Sequence, residues 1–297
     1  METRVFGKTG MTVSALGFGG SEIGYGNAEQ QTVERLLGSA LDAGLNVIDT
    51  AACYIDSEEK IGAAVGNRRS EYYLFTKCGH ASGLSEPDWS PALIEQSIDR
   101  SLRRLRTDYI DLMQLHSCSQ EVLAQGDVIL ALERAKQAGK VRFIGYSGDR
   151  EAARFAVESG AFDTLQTSVN IADQQAIETI AEAHKREMGV IAKRPIANVA
   201  WLSTEEPPAE AYHHTYWLRL QQLKYDFLRD PQAAVGVALR FTLSIPGVHT
   251  AIVGTQTPER WQQNAQLIAA GQLPADQYAA IISHYREVAP PDWVGQT

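Results

Sequence analysis

Asp49, Tyr54, Lys77 and His116 are the residues of this chain whose types and placement could do chemistry together. A carboxylate, a phenol, an ammonium and an imidazole are the parts of a site that donates a proton. Each follows or closes a short apolar run: Asp49 and Tyr54 in NVIDTAACY, Lys77 in YYLFTKC, His116 in YIDLMQLH. Taken singly they have ordinary explanations. An Asp-Thr pair after a strand caps a turn, and a lone His on an apolar strand is commonly a satisfied core residue. Their shared position at the carboxyl ends of three successive predicted strands is what joins them, because parallel strands in a closed barrel deliver their ends to one mouth.

The elements that must position them are legible as alternating β-rich runs and helical patterns. Strands are predicted at Leu16 to Phe18, Asn46 to Ile48, Tyr72 to Thr76, Tyr109 to Leu115, Arg142 to Tyr146, Thr164 to Ser168, Val190 to Ala192 and Ala251 to Val253. Between them, stretches such as AEQQTVERLLGSALDAG and SPALIEQSIDRSLRRLR repeat apolar residues at three- and four-residue steps, the period of an amphipathic helix. Eight strand-then-helix units predict an α/β chain folded as a (β/α)8 TIM barrel. The opening RVFGKTGMTVSAL reads as an N-terminal β-hairpin closing the barrel's bottom. One connection is long: Pro195 to Pro231 carries Trp201, Tyr212, Tyr216, Trp217 and Tyr225, and loops of this length in a compact domain are usually functional. It is expected to hang over the mouth as a lid.

With 297 residues and 44% hydrophobic content the chain can bury one large core, so a single domain over residues 1–297 is expected. A net charge of −9 without a basic stripe argues against nucleic acid as a partner and for small molecules. No run approaches the ~18 apolar residues of a membrane helix, and METRVFGKTG lacks the apolar core of a signal peptide, so a soluble cytoplasmic location is expected. Cys53, Cys78 and Cys118 make an odd count that fits a reducing compartment. Side chains alternate across a strand, so Cys53 and Cys78 are expected to point away from the mouth, and no metal site is expected.

The four residues also carry a resemblance. In order and setting they match the Asp, Tyr, Lys and His tetrad of the aldo-keto reductase family, and the similarity runs from RVFGKTGMTVSALGFGG to IVGTQTPERWQQN. The resemblance implies carbonyl reduction. Hydride must then come from a cofactor, since no side chain donates it, and the protein supplies the acid. A tyrosine is a poor acid near neutrality because its reference pKa is about 10. An ammonium ~4 Å away, at an effective dielectric near 20, favours the phenolate by about 4 kcal/mol. Lys77 is therefore expected to draw Tyr54 towards its working range, with Asp49 orienting Lys77 and His116 hydrogen-bonding the substrate oxygen.

The family resemblance also implies a nicotinamide dinucleotide, NADPH before NADH, bound without a Rossmann fingerprint. Ser147 and Gln166 match the positions that hold the carboxamide, and Gly254, Thr255 and Gln256 begin the segment to Asn264 that matches the receiver of the adenosine end. Thr257-Pro258-Glu259 reads as a helix start whose free N–H groups would face a phosphate. Arg260 and Asn264, four residues apart on one helix face, are expected at the 2′-phosphate and adenine. Two positions depart from the family pattern. Gly148 stands where an Asn usually follows Ser147, and Lys193 replaces the aromatic that stacks on the nicotinamide. Stacking is then expected from Trp201 or Tyr216, with Lys193 and Arg194 approaching cofactor phosphates or the acidic part of a substrate. The Lys that many strongly NADPH-preferring relatives place near Gly254 is also missing, so the NADPH expectation rests mainly on Arg260. The resulting expectation is an NADPH-preferring oxidoreductase of small aldehydes or ketones. Two alternatives stay open: a slow-turnover redox sensor or regulatory subunit, and a barrel hydrolase or lyase forming a Schiff base on Lys77.

Overall fold

The computed structural model describes residues 1–296. Two short strands, β1 (Thr3–Val5) and β2 (Thr12–Ser14), form an antiparallel hairpin. Its turn is a single 3-10 turn, Gly7–Thr9, ended by Gly10 in the left-handed region, where only glycine is unstrained. The eight strands that follow are β3 (Leu16–Gly19), β4 (Val47–Asp49), β5 (Tyr73–Cys78), β6 (Ile110–His116), β7 (Val141–Ser147), β8 (Thr164–Ser168), β9 (Gly189–Lys193) and β10 (Thr250–Val253). All pair in parallel, and β10 returns to β3 to close the barrel. The expected strands are all present. Several run one or two residues longer at the carboxyl end, so Lys77 and His116 lie inside their strands rather than after them.

Alternation along each strand divides the side chains between two cores. Val47, Phe75, Leu112, Ile191 and Ile252 point into the barrel and pack with Phe6, Met11 and Val13 of the hairpin region, which plugs the bottom. Ile48, Leu74, Met113 and Leu115 face outward into the layer under the helices. Two residues beyond an inward apolar side chain lies the next inward position. Asp49 follows Val47, Lys77 follows Phe75, and Gln114 follows Leu112. The apolar floor thus fixes which polar groups enter the mouth.

The helices form for local reasons and dock by one face. In Pro91–Leu105, Pro91 sits at the first helical position, where its missing N–H costs nothing. The Ser90 hydroxyl accepts from the Leu93 amide at 3.2 Å, and Leu93, Ile94, Ile98 and Leu105 are buried. The long connection has structure of its own: a 3-10 segment at Ala197–Leu202, a helix at His214–Leu223 and a short turn at Asp226–Arg229, before the next helix starts at Pro231. Beyond the last helix, Ala275–Val288, the chain crosses back over the top of the barrel. There Arg219 donates to the Val294 carbonyl at 2.6 Å, Arg150 to Gly295 at 2.6 Å and Arg194 to Gln296 at 2.9 Å. No helix among the described residues is long and apolar enough to cross a membrane.

Candidate active site

At the carboxyl end of the barrel, Asp49 is the hub of a buried polar network. It accepts from the Lys77 ammonium, from Gln114 Nε2 at 3.1 Å and from Gln166 Nε2 at 2.8 Å. Five successive strands, β4 to β8, are joined when Ser147 is added, because its hydroxyl donates to Gln166 Oε1 at 3.0 Å. A buried carboxylate is tolerated only when paired and hydrogen-bonded, and here both conditions hold. Gln114 went unnoticed in the sequence, where it reads as one more residue of an apolar strand. Its place is made by Gly145, since a Cβ there would meet Thr164 Oγ1 at 2.2 Å and Gln114 Cγ at 3.2 Å.

Tyr54 lies above this hub, in the loop after β4. The loop is pinned by Ala52 N–H to the Lys77 carbonyl and Tyr54 N–H to Ala51, both 3.0 Å. Gly24 approaches so closely that a Cβ would sit 2.2 Å from the Tyr54 carbonyl oxygen. The next residue, Ile55, is held at φ 53°, an unfavourable conformation for a β-branched side chain and one that clusters at functional sites. Lys77 Nζ is 5.2 Å from the Tyr54 ring centroid, and the His116 and Tyr25 rings flank it at 5.6 Å each.

The electrostatics of the phenol differ from the sequence expectation. Burial first, then the Asp49 charge, holds Tyr54 well above its ordinary range. Lys77 is committed to Asp49 and to the Thr50 carbonyl at 2.8 Å, so its expected downward pull on the phenol is outweighed by burial and the Asp49 charge. Tyr54 is therefore a fully protonated donor at neutral pH. The same contacts occupy the Lys77 Nζ and turn it away from the cleft's substrate space, which disfavours a Schiff base. Burial, with Lys77, Lys193, His80 and Arg194 around it, pushes His116 well below the usual histidine range. Its ring is neutral.

The cysteines correct a second expectation. Cys78 and Cys118 are buried, but Cys53 sits in the loop, where strand alternation does not apply, and its Sγ lies 3.3 Å from His116 Nδ1.

From Tyr54 a cleft of about 1180 Å³ runs between the strand ends and the long connection to Arg260 and Asn264. Gln166, Lys193, Gly254, Thr255 and Gln256 also line it, whereas Ser147 stands behind Gln166. The helix at the far end starts at Arg260, with Thr257 to Glu259 forming a turn before it. The expected helix start thus falls about three residues late. Arg260 is exposed and has no ion-pair partner among the described residues, while Asn264 is buried against the cleft. An unpaired guanidinium at one end and amide groups at the other suit a long ligand with an anionic end.

Both departures from the family pattern have a physical basis. A Cβ at Gly148 would lie 2.4 Å from the Tyr146 hydroxyl, which donates to the Cys118 carbonyl at 2.8 Å, so no asparagine fits. Lys193 Nζ pairs with Asp149 at 2.8 Å, and Asp149 also accepts from the Thr167 hydroxyl and the Ser168 amide. Neither aromatic expected to compensate reaches the cleft: Tyr216 is 2% exposed, and Trp201 packs on the outer core.

The chain belongs to the aldo/keto reductase family, whose model matches residues 15–286. It is thus an oxidoreductase of a family that reduces carbonyl groups with a nicotinamide cofactor. It is 27% identical to an uncharacterized oxidoreductase, YqkF, of Bacillus subtilis, over 97% of each chain. An L-galactose dehydrogenase of Arabidopsis thaliana is 32% identical over 71% of this chain and 69% of its own. Among solved structures, the aldo-keto reductase AKR11C1 from Bacillus halodurans, in its holo form, superposes with a TM-score of 0.83 at 28% identity, covering 96% of each chain.

Proposed function

We propose that the protein reduces a small aldehyde or ketone, with NADPH preferred over NADH, and that Tyr54 is the general acid. The observation that carries this reading is the stack at the mouth: a protonated phenol with the Asp49–Lys77 pair beneath it and a neutral imidazole beside it. Reduced nicotinamide supplies the hydride when bound in the cleft. Gln166 and Ser147 would hold its carboxamide end, Gly254, Thr255 and Gln256 would line its path, and Arg260 and Asn264 would take the adenosine end. As charge develops on the substrate oxygen, Tyr54 gives up its proton. The Lys77 ammonium would offset part of the charge on the phenolate left behind, against the larger opposing effects of burial and the Asp49 carboxylate. A neutral His116 donates a hydrogen bond to the same oxygen without competing for the proton.

The test is Tyr54→Phe. It removes the acid and little else, so turnover with a panel of aldehydes and sugars should fall by ~10²- to 10⁴-fold, while cofactor affinity by fluorescence titration stays unchanged. Near wild-type turnover would assign the acid to another group, such as His116. Unmeasurable turnover by the wild type, with tight cofactor binding, would favour a sensor over an enzyme.

A further inference from the structure

Cys53 occupies the loop position just before Tyr54, and its thiol faces the ring of His116 at 3.3 Å from Nδ1. That ring closes β6, and its tilt is set by the Tyr54 and His80 rings, each at 5.6 Å. No other hydrogen bond reaches it from the described residues. A neutral imidazole carries one hydrogen, and the partner of one nitrogen decides where it resides. Two arrangements are open: the thiol donates to Nδ1 and leaves the hydrogen on Nε2, or Nδ1–H points at sulfur and strips Nε2. Sulfur is a weak acceptor and a ring nitrogen a good one. Burial raises the Cys53 thiol, and its hydrogen is retained. The S–H is itself a weak donor, but a thiol that keeps its hydrogen beside a good acceptor favours the first arrangement.

We infer that Cys53 is a positioning residue: by donating to Nδ1 of His116 it holds the imidazole as the Nε2–H tautomer, the form able to hydrogen-bond a carbonyl oxygen beside Tyr54. The kinetic consequence rests on the carbonyl-reduction reading above, but the tautomer does not. No other residue of the network can substitute, since Lys77, Gln114 and Gln166 are all turned to Asp49.

The experiment is long-range ¹H–¹⁵N NMR on protein labelled in its histidine rings, at neutral pH and without cofactor. His116 is assigned by the resonances lost in His116→Gln. The wild type should show Nδ1 unprotonated and Nε2 protonated. Cys53→Ala should yield a mixture or the Nδ1–H form, and Cys53→Ser, which keeps a donor, should restore Nε2–H. In steady state, Cys53→Ala should lower kcat about 2- to 10-fold, the worth of one hydrogen bond, leave cofactor affinity alone, and be rescued by Cys53→Ser. A wild-type Nδ1–H tautomer, or an unaltered Nε2–H form in Cys53→Ala, overturns the inference. The wild-type spectrum decides even if the alanine variant does not fold. Correct tautomers in an enzyme that reduces no carbonyl would sink the functional reading and leave the positioning role of Cys53 standing.

Discussion

Among the described residues Arg260 has no carboxylate near enough to pair with it, although Glu259 beside it reaches Arg35 at 3.8 Å. A free guanidinium at the end of a cleft is a ready partner for a phosphate. A charge-assisted hydrogen bond contributes about 1.5–3 kcal/mol, so Arg260→Ala should weaken NADPH binding roughly 10- to 150-fold and NADH binding little. Equal losses for both cofactors in titration would place Arg260 at the adenine and remove the NADPH preference. At this scale, the residues legible in the sequence are those at or next to the end of a strand within a run of apolar neighbours, as Asp49, Lys77 and His116 are. Cys53, Gln114 and Asp149 were not legible. The role of Gln114 depends on which strand face turns inward, and those of Cys53 and Asp149 on the path of a loop. Tyr54 stands above its ordinary range for a related reason: Lys77 is not a free charge but is paired with Asp49, whose own charge opposes the phenolate.

Among the elements, the connection from Pro195 to Pro231 was expected to be a lid, and only part of it has that position. Ile196, Asn198, Val199, Leu202, Tyr212 and His213 line the cleft, while the helix His214–Leu223 buries Tyr216, Leu220 and Leu223 in the core. Its amphipathic pattern was masked in the sequence by the surrounding polar and proline-rich residues. Backbone at Ala197, Asn198 and Val199 takes positive φ values of 45°, 52° and 48°, a strained turn rooted at Lys193 and Arg194. Cofactor should therefore slow amide exchange at residues 196–213, by stabilising their closed form, and leave 214–223 nearly unchanged. Exchange mass spectrometry with and without NADPH reads this directly. Protection confined to residues 254–264 would reduce the connection to a surface insertion. The eight strands themselves were easily read, because fully buried parallel strands are near-continuous apolar runs. Their ends shifted by one or two residues because pairing with a neighbour extends them beyond the apolar stretch.

For the molecule as a whole, the mouth and the bottom of the barrel are built from opposite chemistry. The chain carries a net charge of −9, yet Lys193, Arg194 and Arg260 gather along the cleft, a distribution that attracts an anionic ligand to one face. At the bottom, His249 accepts from the Val190 amide at 3.0 Å through Nδ1, with its ring edge-on to Phe6 at 5.7 Å. Burial, then His184 and Arg4, push it down to about 4. The folded chain thus keeps this ring neutral where the unfolded chain protonates it. Stability is present above the ordinary histidine range, near pH 6.5, and is lost as pH falls towards about 4. His249→Asn retains an acceptor and no titration, so its urea midpoint should vary less than that of the wild type between those pH values. Parallel pH profiles for the two proteins would remove His249 from the acid response.

The strap over the barrel's top is gripped by Arg150, Arg194 and Arg219 through the carbonyls of Gly295, Gln296 and Val294, and the Gln296 amide reaches Asp173 at 2.9 Å. Every one of these grips is to main-chain atoms, which all residue types share. Trp293 apart, whose ring packs on Arg219 and Tyr285, the three guanidinium groups read the segment's route rather than its spelling, and any residue but proline at 296 could supply the same peptide groups. Shortening it would have a different result, baring cations at the rim and making that face more positive without altering a residue of the barrel.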